Sequence, residues 1–431
     1  MEINSFKDFS KISVTVKFSR KKYNAILLEQ DDILLLNIDM NNDIDSWRNS
    51  KDFYKVITGN LIYENTEISF LDCQIYNESA TCTGNNLEDI SNLILVYRID
   101  RVLFGKKINT SETNKIMKCE VCFKGMDCFT SSKPYKTNYN TLEYGENVSN
   151  YEINTKELNI SINFGCSCAH KDNSLSINRY TTVNFVFKSS KSIKKILENI
   201  YRFRNFLILL MKKHIIVEKQ YVYYDDKKYQ LFDCYEEILN TNSPSLEEHL
   251  SHRCLKIENI NNIGDMYEKY INNYNKLSPV IELYYNVTQF KVPNTTRFVN
   301  AVTMIENMSR NYDYNSALRL TIKNNPPNKK INDVEYKYMV YSLIKKVNDV
   351  YNLTDQDIDQ ISNNVKNARV YYIHYKKKNT VKKLSYEEQF RYSYFMQDIV
   401  LLNIYRLIKM DIKDSEYISF KDYYYEIKDL L

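Results

Sequence analysis

Arg369 and His374 stand with four residues between them, in the run Asn367-Ala368-Arg369-Val370-Tyr371-Tyr372-Ile373-His374-Tyr375. Lys376, Lys377, Lys378, Lys382 and Lys383 follow at once. In chemical terms the stretch offers one fixed cation, one group able to move protons near neutral pH, and a surface that attracts phosphate. Arginine and histidine fall at this spacing often by chance. A surface arginine beside a helix-terminal histidine has the same letters, so the surrounding elements must decide between the two. If the region is helical, five residues place the two positions about 140° apart around the axis. Either the helix end relaxes near His374, or a second copy of the chain completes the site. A two-fold axis here would bring two arginines and two histidines together.

The chain has 431 residues, a length that predicts two to three domains. Its 43% hydrophobic and 26% charged residues suit a chain that buries a core. The net charge of +5 excludes a highly basic chromatin-type protein but allows a local nucleic-acid site. No apolar run is long enough for a membrane helix, and Phe203 to Met211 is cut short by flanking arginines and lysines. The start, Met1 to Lys7, lacks a charged segment followed by an apolar core. A cytoplasmic protein with no membrane association is expected. Seven glycines leave little room for a phosphate-cradling loop, and neither H-E-x-x-H nor G-x-S-x-G occurs.

Nine cysteines without a signal segment argue against a disulfide framework. Cys119, Cys122, Cys128, Cys166, Cys168 and His170 cluster loosely and contain enough donors for zinc. Cys119 and Cys122 sit in a strand-like run, though, where they point to opposite faces. Buried thiols are the competing reading.

From about residue 10 to 190 the chain breaks into short β-type runs. Lys11 to Phe18 alternates apolar and polar residues, as a strand with one buried face does. Lys55 to Tyr63 and Glu67 to Leu71 form a hairpin across Glu64-Asn65-Thr66. Roughly eight to ten such runs with turn residues between them predict an antiparallel sandwich or barrel. Ser192 to Lys213 has helical spacing. Residues 241–292 read as a helical bridge after a joint near Pro244.

Residues 293–431 read as an all-α bundle. Phe298, Val302, Ile305, Met308 and Tyr312 mark its first helix. Asp333 starts a second through Tyr351. Thr354, with Asp357 three residues on, caps a third that carries Arg369 and His374. Ser385 and Glu388 open the last. The fold class is therefore α+β, with domains expected at 1–240, 241–292 and 293–431.

A helical bundle with R-x4-H late in the chain resembles the HEPN ribonuclease superfamily. The first half extends the likeness. Val56 to Leu61 with Ile68 to Leu71, Leu103-Phe104-Gly105-Lys106, and Phe298 to Glu306 resemble the ApeA family of bacterial anti-phage proteins. That family has an ApeA-type N-terminal domain ahead of a HEPN domain. In the superfamily a polar residue often follows the arginine; here it is Val370.

The resemblance implies metal-independent RNA cleavage in abortive infection. A ribose 2′-hydroxyl attacks the adjacent phosphate, leaving a 2′,3′-cyclic phosphate. His374 would transfer protons, Arg369 would stabilise the transition-state charge, and Glu306 would orient one of them. Lys376, Lys377, Lys378, Lys382 and Lys383 would guide the backbone of a single-stranded RNA or tRNA loop, and Tyr375 would stack a base. A homodimer or higher homo-oligomer and a phage-derived trigger are the implied partners. No cofactor and no metal at the HEPN site are expected, because Arg369 and the lysines make it cationic. The alternative is a non-catalytic HEPN sensor that binds a partner through its β-rich half.

Overall fold

The computed structural model describes residues 5–18, 21–41, 43–82, 90–126, 129–130, 135–138, 141–144, 150–171, 174–235, 255–325, 334–374 and 383–410. These fall into two compact units. The first comprises residues 1–124, 134–200 and 216–243, and the second 125–133, 201–215 and 244–431.

In the first unit the strands are β1 (Ile12–Phe18), β2 (Lys21–Gln30), β3 (Ile33–Asp39), β4 (Phe53–Leu61), β5 (Glu67–Cys82), β6 (Ile90–Phe104) and β7 (Ile116–Lys124). A separate hairpin, β8 (Tyr135–Asn138) and β9 (Thr141–Tyr144), follows. Then come β10 (Asn150–Asn154), β11 (Leu158–Lys171), β12 (Ser174–Lys191), β13 (Ile216–Tyr224) and β14 (Lys227–Asp233). A short helix α1 (Ile44–Arg48) is capped by Asp43, whose side chain accepts the Ser46 N–H. Helix α2 (Ile193–Met211) contributes residues to both units.

One antiparallel sheet runs β10-β11-β12-β7-β13-β14-β6-β3-β2-β1-β4-β5, and β5 pairs back onto β6. The last six strands therefore close into a barrel, and the first six continue as an extension. Strand β6 makes both possible. One of its edges pairs with β5. On the other, residues 94–99 pair with β3 and residues 101–104 with β14.

Alternation decides which side chains fill the barrel. Val14, Val16, Leu27, Leu36, Ile38, Phe70, Tyr97 and Val102 are fully buried within it. Gly59 lies opposite Val16, and a Cβ there would come 2.7 Å from the Thr15 carbonyl oxygen. The close approach of β4 to β1 therefore requires glycine at this position. At the point where β6 changes partners, Arg101 pairs with Asp233 at 3.0 Å and with Asp72.

The expected strand at Lys11 to Phe18 and the hairpin across Glu64-Asn65-Thr66 are present as β1 and β4–β5. The runs at 93–98 and 101–104, expected as two strands, are one continuous β6.

The second unit is helical, with α3 (Ile263–Gln289), α4 (Asn294–Tyr312), α5 (Tyr314–Lys323), α6 (Tyr336–Lys346), α7 (Asn348–Tyr351), α8 (Asp355–His374) and α9 (Tyr386–Leu407). Helix α4 is central and touches α3, α5, α6, α8 and α9. Its Phe298, Val302 and Ile305 are fully buried, as are Ile358, Ile361, Val365 and Ala368 of α8.

Two helix starts follow from local chemistry. Ser385 and Glu388 form a reciprocal capping box at α9. Thr354 and Asp357 do the same at α8, at 3.0 and 3.1 Å. The helix expected from Asp333 through Tyr351 breaks at Val347 into α6 and α7, and α5 is a helix that periodicity had not marked.

Candidate functional site

Helix α8 carries Arg369 on the turn after its buried stripe of Ile361, Val365 and Ala368. That stripe lays α8 against the core and brings Arg369 to α4. There the Arg369 Nη2 donates to Glu306 Oε2 at 2.6 Å, linking residues 63 positions apart. Both side chains are about one-fifth exposed, at 20% and 23%. Glu306 also accepts a bond from Arg310 Nε at 3.1 Å, one turn along α4. Two guanidinium groups thus share one carboxylate.

Tyr336 at the start of α6 supports Arg369 from one side. The guanidinium carbon lies 4.6 Å from the ring centroid, within cation–π range. The Tyr336 hydroxyl donates to the Val302 carbonyl at 2.8 Å, so the ring is tied to the same helix that carries Glu306. Burial pushes the Tyr336 hydroxyl well above its ordinary pKa and keeps it a donor. Arg369 Nε is buried and has no hydrogen-bond partner among the described residues. The result is a planar cation held by a carboxylate and an aromatic face, a geometry suited to an anionic oxygen.

The backbone of α8 remains helical through His374. The two positions therefore keep their offset of about 140° around the axis. The His374 side chain lies outside the described residues, as do Tyr375, Lys376, Lys377, Lys378 and Lys382. Lys383 is described and exposed. Tyr372 packs edge-on against Phe298 at 5.6 Å, and its hydroxyl donates to the Leu384 carbonyl at 3.1 Å.

Glu306 and Arg369, both singled out in the sequence, are thus brought together. Arg310 and Tyr336 were not. Arg310 carried a readable signal, its i,i+4 spacing from Glu306. Tyr336 carried none.

The cysteines divide between faces. Cys119 is buried on the inner face of β7, and Cys122 lies on the outer face. Cys166 stands on β11. Burial raises the pKa of the Cys119 and Cys122 thiols, which disfavours the thiolate that zinc needs. Cys128 and the side chains of Cys168 and His170 lie outside the described residues. Among the described residues no cluster of three metal-ligating side chains occurs. Nor is any helix among them long and apolar enough to cross a membrane.

A barrel-bearing β unit, followed by a helical unit with R-x4-H on a late helix, defines a two-part protein of the HEPN class. Comparison with protein families agrees: ApeA N-terminal domain 1 matches residues 23–274, and Apea-like HEPN matches residues 280–414. The chain belongs to the ApeA family. No curated protein matches it. No solved structure matches it either. The HEPN domain of the ApeA type supports a nuclease-like role in defence.

Proposed function

We propose that the protein is an endoribonuclease of abortive anti-phage defence. It cuts single-stranded RNA or a tRNA loop without a metal ion, at a site built from Arg369 and His374. The ribose 2′-hydroxyl loses its proton to a histidine and attacks the adjacent phosphorus. The P–O5′ bond breaks, and the leaving oxygen takes up a proton. A 2′,3′-cyclic phosphate and a 5′-hydroxyl remain. Arg369 stabilises the extra negative charge on the phosphorane. Glu306 acts as a positioning residue. Lys376, Lys377, Lys378, Lys382 and Lys383 guide the backbone, and Tyr375 stacks a base.

The observation that carries this reading is the fixing of Arg369 by Glu306 and Tyr336. One arginine and one histidine on a regular helix do not surround a phosphate. The reading therefore includes a homodimer in which two copies share one cleft. It also includes a cytoplasmic setting, a phage-derived trigger, and functional divisions at 1–240, 241–292 and 293–431. Limited proteolysis checks those divisions: cuts near residues 240 and 293 support them.

The test is incubation of purified protein with RNA in EDTA, followed by end-group analysis. Cyclic phosphate ends that vanish in both Arg369→Ala and His374→Ala are expected. Intact RNA with the wild-type protein, in the presence of phage lysate as well, would overturn the reading.

One observation favours a second reading, a non-catalytic HEPN sensor. The Arg369–Glu306 pair is also an ion pair between two helices of one chain. Under that reading Arg369→Ala lowers the melting temperature and RNA is never cut.

A further inference from the structure

The outer face of the barrel extension carries chemistry that the proposed cleavage does not use. Strands β7, β13 and β14 are neighbours, with Tyr221 opposite Glu120 on one side and Gln230 on the other. Val121, Val222 and Leu231 point inward and are buried. Lys118, Glu120, Tyr221, Tyr223 and Lys228 therefore share the outward face. Lys118 Nζ lies 4.2 Å from the Tyr223 ring centroid, and Lys228 Nζ lies 3.9 Å from that of Tyr221. The single carboxylate among these five residues is compensated, since Glu120 accepts from Lys228 at 2.6 Å and from the Tyr223 hydroxyl at 2.9 Å. The second bond holds the Tyr223 ring in place. Burial and that carboxylate push the Tyr223 hydroxyl up to about 12, so it stays neutral.

On the same face, two strands over, Tyr180 of β12 lies across Gly165 of β11. A Cβ at Gly165 would come 2.5 Å from the tyrosine ring, so only glycine lets the ring lie flat. Tyr180 is 45% exposed.

We propose that this face binds single-stranded nucleic acid. Tyrosine rings with lysine tips on their faces offer stacking surfaces and phosphate partners together. Spacing selects the single strand. Tyr221 and Tyr223 are two residues apart on one strand face, about 6.6 Å. That is about twice the 3.4 Å rise of a stacked strand, so adjacent bases must be splayed apart to reach both rings. A duplex cannot do this. Tyr180 lies about 10 Å across the strands and about 13 Å along them from Tyr221, so the surface spans several nucleotides. On binding, the lysine tips move from the rings to the phosphates.

The test uses the full-length His374→Ala chain, so that a probe survives whether or not the wild-type protein cleaves RNA. Fluorescein-labelled 12-residue oligouridylate and an RNA duplex of equal length are titrated by anisotropy. Photo-crosslinked 4-thiouridine in the single strand should mark the peptide containing Tyr221 and Tyr223. The Tyr221→Ala, Tyr223→Ala pair should weaken single-strand binding at least tenfold. Lys118→Gln with Lys228→Gln, both surface changes, should lower the salt slope by about two. Single-strand binding unchanged in both variants, or a duplex bound as tightly as the single strand, would overturn the proposal. Cleavage failing while this binding holds would count against the proposed function alone.

Discussion

The barrel interior and the helical unit treat polarity differently, and the first unit keeps its buried Asp233, paired with Arg101, at the point where β6 changes partners. The barrel satisfies its backbone by closing on itself, and its interior is filled with aliphatic and aromatic side chains. The helical unit puts charge inside. Asp398 is 5% exposed and meets Lys212 at 2.9 Å, and Asp313 is 3% exposed and meets Lys346 at 2.6 Å. Asn403 is buried too and donates to the Leu343 carbonyl at 3.1 Å. Polar interiors of this kind add little net stability, because desolvation offsets the attraction. What they fix is position. Helices tied by directional bonds hold one register, and that is the setting in which Arg369 meets Glu306.

Each unit has its own reporter. The chain's one tryptophan, Trp47, packs against the barrel core, whereas helical circular dichroism follows the second unit. The largest contrast is expected at alkaline pH. Burial raises the hydroxyl pKa of Tyr267, Tyr270, Tyr284, Tyr336 and Tyr351 in the helical unit. Unfolded, these groups ionise near 10. Their stabilisation is therefore complete below about pH 10 and is lost as pH rises through the folded values. Among the described residues the barrel unit buries fewer tyrosines, namely Tyr23, Tyr97 and Tyr224. Helical ellipticity should fall at lower pH than the shift in Trp47 emission, and the reverse order would break the comparison.

Next in size is Asp398→Ala. It removes the carboxylate that meets the Lys212 ammonium at 2.9 Å and should cost about 3–5 kcal/mol in the helical transition in urea, with the Trp47 transition unmoved. Leu36→Ala should do the converse, about 3 kcal/mol from the Trp47 transition alone. The smallest effect sharpens the contrast at the site. Tyr336→Phe loses one hydrogen bond, about 1 kcal/mol, yet keeps the ring under Arg369 and should keep any RNA cleavage. Tyr336→Leu removes the ring and should depress cleavage well beyond its effect on melting.

What could be read in advance was local. Alternation from Ile12 to Phe18 marked β1, and Ser385 with Glu388 marked the start of α9 because both ends of that capping box lie within four residues. Barrel closure was not visible. It depends on β5 and β6 pairing along their length while β6 also serves β3 and β14, and no periodicity encodes a strand's second partner. The site divides the same way. Arg369 stood out by its spacing from His374, and Glu306 entered through family likeness. Tyr336 reaches Arg369 only through the packing of α6 beside α4 and α8. The break at Val347 went unseen because Tyr338 to Tyr351 keeps helical spacing across it.

Closure has one more consequence, for self-association. Among the described residues β10 pairs with residues 159–163 of β11 and β4 with residues 67–74 of β5, so the sheet ends at β10 while each of these longer strands runs on past its neighbour. An unpaired strand margin is a template on which another chain can add. The β10 margin is five residues long, with exposed Asn150, Glu152 and Asn154 alternating along it. A short margin with a carboxylate at its middle is a poor template for fibril growth. At its β10 end the sheet therefore meets solvent with a small and guarded flank.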